Sequence, residues 1–178
     1  YALVHLREGN LEEAMRVLRD ILEAGGESAD VLYFLGECYL GLGRSEEAER
    51  FFWRALDVNP RFLRAKEKLG HILIRRGSYE EAERLLDPPE ADYADLFKIL
   101  GDIKFYRGDL EGAEGYYRKS LSLNTEYSEA SLSLALTLRN EGRDGEADEM
   151  LRRLIEHDPE NVLARNLLGR GPLDLAGD

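Results

Sequence analysis

Apolar residues recur along the chain at helical spacing, in short segments that glycine or proline separates. Within the segment 11–22 they lie three or four positions apart, at Leu11, Ala14, Met15, Leu18, Ile21 and Leu22. This spacing puts them on one face of a helix. Gly25 and Gly26 then follow, as expected for a helix end. The pattern predicts an all-α chain of short amphipathic helices.

The helical segments repeat. A small residue recurs at spacings of 34, 34, 31 and 34 residues, at Ala14, Ala48, Ala82, Ala113 and Ala147. A glycine keeps the same period, at Gly9, Gly43, Gly77, Gly108 and Gly142. A Leu-Gly pair also follows it, at residues 35–36, 69–70, 100–101 and 168–169. Three markers with one period and one shared three-residue deletion indicate tandem helix pairs.

The fullest copy of the repeat lies within residues 32–60. It reads Leu32-x-x-Leu35-Gly36-x-x-Tyr39, then Ala48-x-x-x-Phe52, then Pro60. This resembles the tetratricopeptide repeat, with Leu32 where that family prefers tryptophan. The resemblance covers nearly the whole chain. It implies a right-handed superhelix of antiparallel helix pairs, with the first helix of each pair (helix A) lining a concave groove that binds peptides.

We expect a single array over residues 1–178. The repeats are predicted at 29–62, 63–93, 94–127 and 128–161, with a capping helix and tail at 162–178. Residues 1–28 hold a truncated repeat in which half of helix A is missing. The apolar face of its second helix (helix B) would then be undercovered at Met15, Leu18, Ile21 and Leu22. Upstream chain or self-association would cover it.

The repeat at 63–93 is the shortened one. Its helix B starts normally, but Asp87-Pro88-Pro89 arrives early. Proline lacks the backbone N–H and disfavours helical geometry in the residue before it. We therefore predict that this helix B ends near Leu86 and is the shortest of its kind.

The net charge of the chain is −12. Nucleic acid is a disfavoured partner, because backbone binding relies on Lys and Arg to neutralise phosphate. An anionic membrane surface is disfavoured for the same reason, and no apolar run approaches membrane-spanning length. A basic or mixed-charge protein partner is easier to attract.

Candidate chemistry is sparse. The three histidines, His5, His71 and His157, lie in different repeats and lack metal-ligand spacing. Cys38 is the single cysteine, which excludes an internal disulfide, and we interpret it as a small buried residue. The sequence therefore predicts no catalytic residue, no metal site and no cofactor.

The family resemblance implies one kind of site, on the helix A residues that face the groove. Counted from the first residue of each repeat, these are roughly the second, fifth, ninth, twelfth and thirteenth positions. In the first two full repeats they are Tyr33, Glu37, Leu40, Arg64, Glu67, His71, Ile74 and Arg75. In the next two they are Lys98, Asp102, Phe105, Tyr106, Glu129, Leu132, Leu136 and Arg139. We expect exposed aromatic rings beside charges to bind a peptide, with Tyr33 and Tyr106 as anchors.

Two functions remain open at this point. The first is a non-enzymatic scaffold that binds a peptide segment or a partner protein in its concave groove. The second is a regulatory or substrate-recruiting part of a larger enzyme, with the catalytic domain outside these 178 residues. The full reading frame would separate the two.

Overall fold

The computed structural model describes residues 9–25, 27–86 and 93–169, and every regular element within them is an α-helix. The first five helices are α1 (Leu11–Glu23), α2 (Ala29–Gly41), α3 (Ser45–Val58), α4 (Leu63–Arg76) and α5 (Tyr79–Leu86). The next five are α6 (Ala94–Tyr106), α7 (Leu110–Leu123), α8 (Ser128–Asn140), α9 (Asp144–His157) and α10 (Val162–Leu168). The all-α fold predicted from the sequence is confirmed.

The chain packs as two compact units, Tyr1–Leu85 and Leu86–Asp178. In unit 1, α2 packs against both α1 and α3, and α3 packs against α4. In unit 2, each of α6 to α9 packs against the next helix in the chain. Each unit has its own core of buried apolar side chains, centred on Leu35 and Phe52 in unit 1 and on Tyr117 and Leu134 in unit 2.

The turn inside each helix pair has the same hydrogen bonds in four places. After α2, the Gly43 N–H donates to the Leu40 carbonyl and the Arg44 N–H donates to the Tyr39 carbonyl. Gly43 has a φ of 73°, a left-handed conformation that glycine adopts without strain. The same pattern follows α4, α6 and α8, at Gly77, Gly108 and Gly142. At these four turns the periodic glycine therefore ends helix A in a left-handed conformation.

Close approach of two helices explains two of the Leu-Gly pairs. A Cβ at Gly36 would lie 2.5 Å from the Phe52 ring, and a Cβ at Gly101 would lie 2.5 Å from the Tyr117 ring. Such distances are well inside van der Waals contact, so glycine is required where helix B carries an aromatic ring. In the following pair, Ala135 takes the glycine position and Leu151 takes the aromatic position. Both of these residues are buried.

The shortened helix is confirmed among the described residues. α5 has eight residues, whereas α3, α7 and α9 have 14 each. Its last described residue is Leu86, near which the sequence predicts the end of this helix. Pro88 and Pro89 lie outside the described residues.

The expected exposure of the first helix B is wrong at two positions. Met15 and Leu18 are buried, because α1 packs against α2 and both side chains belong to the core of unit 1. Leu22 is half-buried, and Ile21 is the exposed member of the set. His5 and the rest of residues 1–8 lie outside the described residues. Self-association at this end stays a prediction.

Candidate functional site

The predicted groove residues lie on four A helices. Those in unit 1 come from α2 and α4, and those in unit 2 come from α6 and α8. The two sets are described separately below, because each belongs to its own compact unit.

Tyr33 of α2 is buried, with 2% of its surface exposed, so the expectation of an exposed anchor ring is wrong there. Its ring centroid lies 5.5 Å from that of Phe52 and 5.4 Å from that of Phe62. The ring centroid of Phe34 lies 5.4 Å from that of Tyr33. Three neighbouring rings therefore enclose Tyr33, and it acts as a core residue of unit 1.

Arg64 of α4 covers the Tyr33 ring. Its guanidinium carbon lies 4.4 Å from the ring centroid of Tyr33 and 5.5 Å from that of Phe34. This is a cation–π arrangement, in which the positive charge sits over the electron-rich ring face. Burial raises the pKa of Tyr33 to about 12, and the nearby Glu37 carboxylate acts in the same direction. The exposed group at this point is therefore Arg64, above a buried phenol.

The other predicted residues of unit 1 differ in exposure. Glu37 forms an ion pair with Lys68 of α4, with 3.5 Å between carboxylate oxygen and Nζ. Arg75 is exposed near the end of α4. The remaining side chains are half-buried, and these are Leu40, Glu67, His71 and Ile74.

In unit 2, Lys98 and Asp102 bond to each other and to the core. The Lys98 Nζ donates to Asp102 Oδ2 at 2.8 Å, and the Tyr117 hydroxyl donates to Asp102 Oδ1 at 2.9 Å. Lys98 also lies 3.9 Å from a carboxylate oxygen of the exposed Glu129. Burial and the Asp102 carboxylate hold the pKa of Tyr117 well above its usual value. Both of these predicted groove residues thus bond to other groups of the unit.

Phe105 and Tyr106 end α6, and they differ in depth. Phe105 is half-buried and packs against the core of unit 2. Tyr106 has 59% of its surface exposed, and its ring lies edge-on to Phe105 with centroids 5.8 Å apart. Leu132 and Leu136, one turn apart on α8, are both half-buried. Unit 2 therefore presents apolar side chains at the twelfth and thirteenth positions of α6 and at the fifth and ninth positions of α8.

Arg139 is buried rather than groove-facing, which corrects the prediction at this position. Its Nη2 donates to Asp148 Oδ1 of α9 at 2.8 Å. Nε and Nη1 are buried, and neither has a hydrogen-bond partner among the described residues. The helical pattern predicted that Arg139 faces the groove. In the structure its guanidinium bonds to Asp148 and is buried between the two helices of the pair.

The sequence missed three features of these surfaces. The rings of Phe34 and Phe62 lie next to Tyr33. The number of aromatic residues in and around α2 would have suggested this cluster. A cleft of about 650 Å³ lies beside Trp53 and Ile72 in unit 1. A smaller cavity of about 210 Å³ in unit 2 is lined by Ser131 and Met150, among others. The spacing of apolar residues along the helices predicted neither cavity.

Other candidate chemistry is limited in the described part of the chain. Cys38 is fully buried, and burial raises the pKa of its thiol to about 11, so the neutral form dominates at ordinary pH. Residues 9–25, 27–86 and 93–169 contain no group of three or more His, Cys, Asp or Glu placed to hold a metal ion. In the same residues, no helix combines the length and apolar character needed to cross a bilayer.

The family follows from the sequence models of known families. One model described as "Tetratricopeptide repeat" matches residues 5–52 and 105–171, and a second with the same description matches residues 63–88. The first alone covers more than half of the chain. This chain belongs to the tetratricopeptide repeat family.

Two curated relatives resemble the chain over most of its length. The BBSome complex member bbs-4 of Caenorhabditis elegans is 28% identical over 182 residues, which cover 94% of this chain. The type IV pilus assembly protein PilF of Pseudomonas aeruginosa is 29% identical over 144 residues, which cover 78% of this chain. The matched regions make up 38% of bbs-4 and 57% of PilF. The chain therefore corresponds to a part of each relative.

A solved structure has the same fold. MamA from Desulfovibrio magneticus RS-1, from residue 41 to its end, superposes with a TM-score of 0.77 at 21% identity. The match covers 90% of this chain and 93% of that one. At this identity the likeness concerns the fold alone.

Proposed function

We propose that this chain is a non-enzymatic protein–protein interaction scaffold, which binds an extended or helical segment of a partner protein on its A helices. The observation that carries the proposal is Tyr106, a ring with 59% of its surface exposed, next to the half-buried Phe105. Exposed aromatic side chains bring large contact area at low entropy cost, and they dominate many interfaces. Tyr106 is the expected anchor.

The apolar side chains of α8 extend the proposed contact surface in unit 2. Leu132 and Leu136 lie on one face of the helix, one turn apart, and each retains part of its surface in solvent. Leu132 and Phe105 pack on the same core cluster. We expect a partner to lay apolar side chains across this surface and to reach Glu129 with a basic group.

Unit 1 offers a different surface for the same purpose. Arg64 and Arg75 are exposed on α4, and the half-buried Ile74 lies beside Arg75. These residues favour carboxylates of the partner. Lys98 and Asp102, in contrast, neutralise each other, and their contribution to a partner is indirect, through the position of α6.

The relatives support a role in assembly. The name of bbs-4 describes a complex member, and the name of PilF describes an assembly protein. The chain spans 38% and 57% of their lengths, so the particular partners of those proteins are not assigned to this chain. The net charge of −12 favours partners with basic groups over nucleic acid.

Peptide selection followed by calorimetry tests the proposal. A 12-residue peptide that binds the immobilised 178-residue protein is selected from a phage library of random peptides. The Kd of this peptide is then measured by titration calorimetry. Tyr106→Ala should weaken binding by about 5- to 150-fold, the range for loss of an anchor worth about 1–3 kcal/mol. Helical content in circular dichroism should not change, because the ring is exposed.

Leu123→Ala is the matched control, because Leu123 is an exposed apolar residue on helix B of the same pair. Its Kd should stay within about twofold of wild type, as for a residue outside the interface. The proposal is wrong if Leu123→Ala abolishes binding and Tyr106→Ala leaves it intact. A selection that yields no binding peptide also counts against it.

A further inference from the structure

The fourth residue of helix A is not the same size in every pair. It is Leu32 in α2 and Phe97 in α6, and both are buried. In α8 it is Ser131, which is also buried, with 7% of its surface exposed. α4 carries Lys66 there, next to the shortened α5. Ser131 is thus a small side chain at a position that two other helix pairs fill with a large one.

The pair formed by α6 and α7 shows what surrounds a ring at this position. The Tyr116 ring is stacked near Phe97, with centroids 6.3 Å apart and planes 26° from parallel. The Nζ of Lys119 lies 5.5 Å from the Phe97 centroid. An aromatic side chain on one side and a cation over the ring are a favourable setting for a phenyl group.

The next pair has an apolar and a cationic side chain at the equivalent positions, and it has no ring at the fourth position of helix A. Counted along helix B, Met150 takes the position of Tyr116, and Arg153 takes the position of Lys119. Both line a cavity of about 210 Å³, together with Leu121, Ser131, Leu154 and His157. At the position of Ser120 of α7 this pair has Leu154, a larger side chain that lines the cavity. We call it the Ser131 cavity.

We propose that the Ser131 cavity binds an aromatic side chain, of phenylalanine type, from a partner protein. The volume is below the roughly 300–1,000 Å³ of ordinary small-molecule sites, and it suits a single side chain. The Met150 thioether makes favourable contacts with aromatic rings. Arg153 lines the cavity and its Nη2 donates to Glu149 Oε1. Its guanidinium would serve a bound ring as the cation that Lys119 is to Phe97. The partner would thus contribute the ring that this helix pair lacks.

This site is independent of the A-helix surface proposed above. It involves α7 and α9, which are B helices, and Ser131 in the first turn of α8. Tyr106 does not line it. A partner that uses both surfaces would insert one ring into the Ser131 cavity and pack another segment against Tyr106.

Methyl NMR of the 178-residue protein with small probes tests the proposal. The probe is N-acetyl-L-phenylalaninamide, and N-acetyl-L-alaninamide is the matched control probe without a ring. The phenylalanine probe should give saturable shifts at the Met150 methyl group and at the methyl groups of Leu121 and Leu154. The alanine probe should give none.

Variants assign the response to the cavity. Ser131→Phe supplies the missing ring from the chain itself, so it should abolish the shifts while the circular dichroism spectrum is retained. Ser131→Leu, which copies the residue of α2, is the second variant if the phenylalanine is too large to fold. Arg153→Ala should weaken the probe affinity by about two- to fivefold, as expected for loss of one cation–π contact. Tyr106→Ala should leave the probe response unchanged.

Three results would overturn the inference. The first is the absence of shifts at Met150 up to the solubility limit of the phenylalanine probe. The second is an equal response to both probes. The third is an unchanged response in a folded Ser131→Leu variant, which would place the probe elsewhere. None of these results bears on the Tyr106 surface, whose test uses a different residue and a selected peptide.

Discussion

The helix pairs α2/α3 and α6/α7 share one close contact between a glycine and an aromatic ring, but they differ in the side chains that surround it. In each, a glycine at the eighth position of helix A lies against an aromatic ring of helix B, Gly36 with Phe52 and Gly101 with Tyr117. Around this shared contact, the first pair packs apolar rings. The second pair builds a hydrogen-bonded network.

The difference arises at the fifth position of helix A. Tyr33 occupies it in α2, where its ring packs among Phe34, Phe52 and Phe62. Lys98 occupies it in α6, where its Nζ bonds to Asp102, and Asp102 in turn accepts the Tyr117 hydroxyl. In both pairs the fifth position therefore serves internal packing. The surface that we propose for a partner lies further along helix A, at Tyr106 in unit 2 and at Ile74 and Arg75 in unit 1.

Replacement of the fifth residue of helix A should have the largest effect on the free energy of unfolding. Tyr33→Ala should lower the free energy of unfolding by about 3–5 kcal/mol, because it opens a cavity among three rings. Lys98→Ala should cost about 1–2 kcal/mol, because Asp102 keeps its bond from Tyr117. Chemical denaturation measures both. Equal losses would mean that the two fillings are energetically alike.

Tyr106→Ala serves as the control for Tyr33→Ala, since it removes the same side chain from an exposed position. Its effect on the free energy of unfolding should stay within about 0.5 kcal/mol.

Substitution of the glycine that contacts the aromatic ring should have the second-largest effect on the free energy of unfolding. Gly101→Ala should cost about 1–3 kcal/mol, because the new methyl group would lie 2.5 Å from the Tyr117 ring. The double variant Gly101→Ala/Tyr117→Leu reproduces the residues found at Ala135 and Leu151. It should show a favourable coupling energy of about 1 kcal/mol or more relative to the two single variants. Additive effects would show that the ring is not what excludes the methyl group.

Alkaline pH should destabilise the folded protein through the buried Tyr33. An unfolded tyrosine ionises near pH 10, whereas the pKa of Tyr33 in the folded protein is about 12. Between these values the unfolded state loses the phenolic proton and the folded state keeps it. The free energy of unfolding should therefore fall as pH rises, by up to about 1.4 kcal/mol per pH unit for this group. Tyr33→Phe should make the fall shallower between pH 10 and 12, and an unchanged slope would refute this.

Loss of the Tyr117 hydroxyl should have the smallest effect of the four. Tyr117→Phe removes one hydrogen bond to Asp102, while the bond from Lys98 remains. We expect a loss of about 1 kcal/mol in the free energy of unfolding at neutral pH. A loss as large as that of Tyr33→Ala would mean that the polar network, rather than the ring, holds α6 to α7.

The repeat markers predicted much of the fold because they record local requirements. Gly43 and its periodic equivalents need a left-handed φ, and Gly36 and Gly101 need the absence of a side chain. Both requirements fix the residue type, so they are visible in a single sequence. Pro88 likewise predicted an early end for α5, because proline cannot continue a helix, and Leu86 is the last described residue of that helix.

The candidate site was less predictable, because a helical pattern predicts which face of the helix a side chain lies on but not how deeply that side chain is buried. Tyr33 lies on the predicted face, but Phe62 and Arg64 from the next part of the chain cover it. Arg139 is buried by its bond to Asp148, nine residues away on another helix. The Ser131 cavity arises from a side chain that is too small. Comparison of the fourth positions of the A helices would have revealed it.

The most direct test of the binding account is NMR mapping of the selected 12-residue peptide on the 178-residue protein. Methyl and amide shifts are followed along α6 to α9. The account predicts the largest shifts at Tyr106 and around Leu132 and Leu136, with small ones around Leu123 of α7. Shifts confined to α7 and α9, with none at Tyr106, would contradict it.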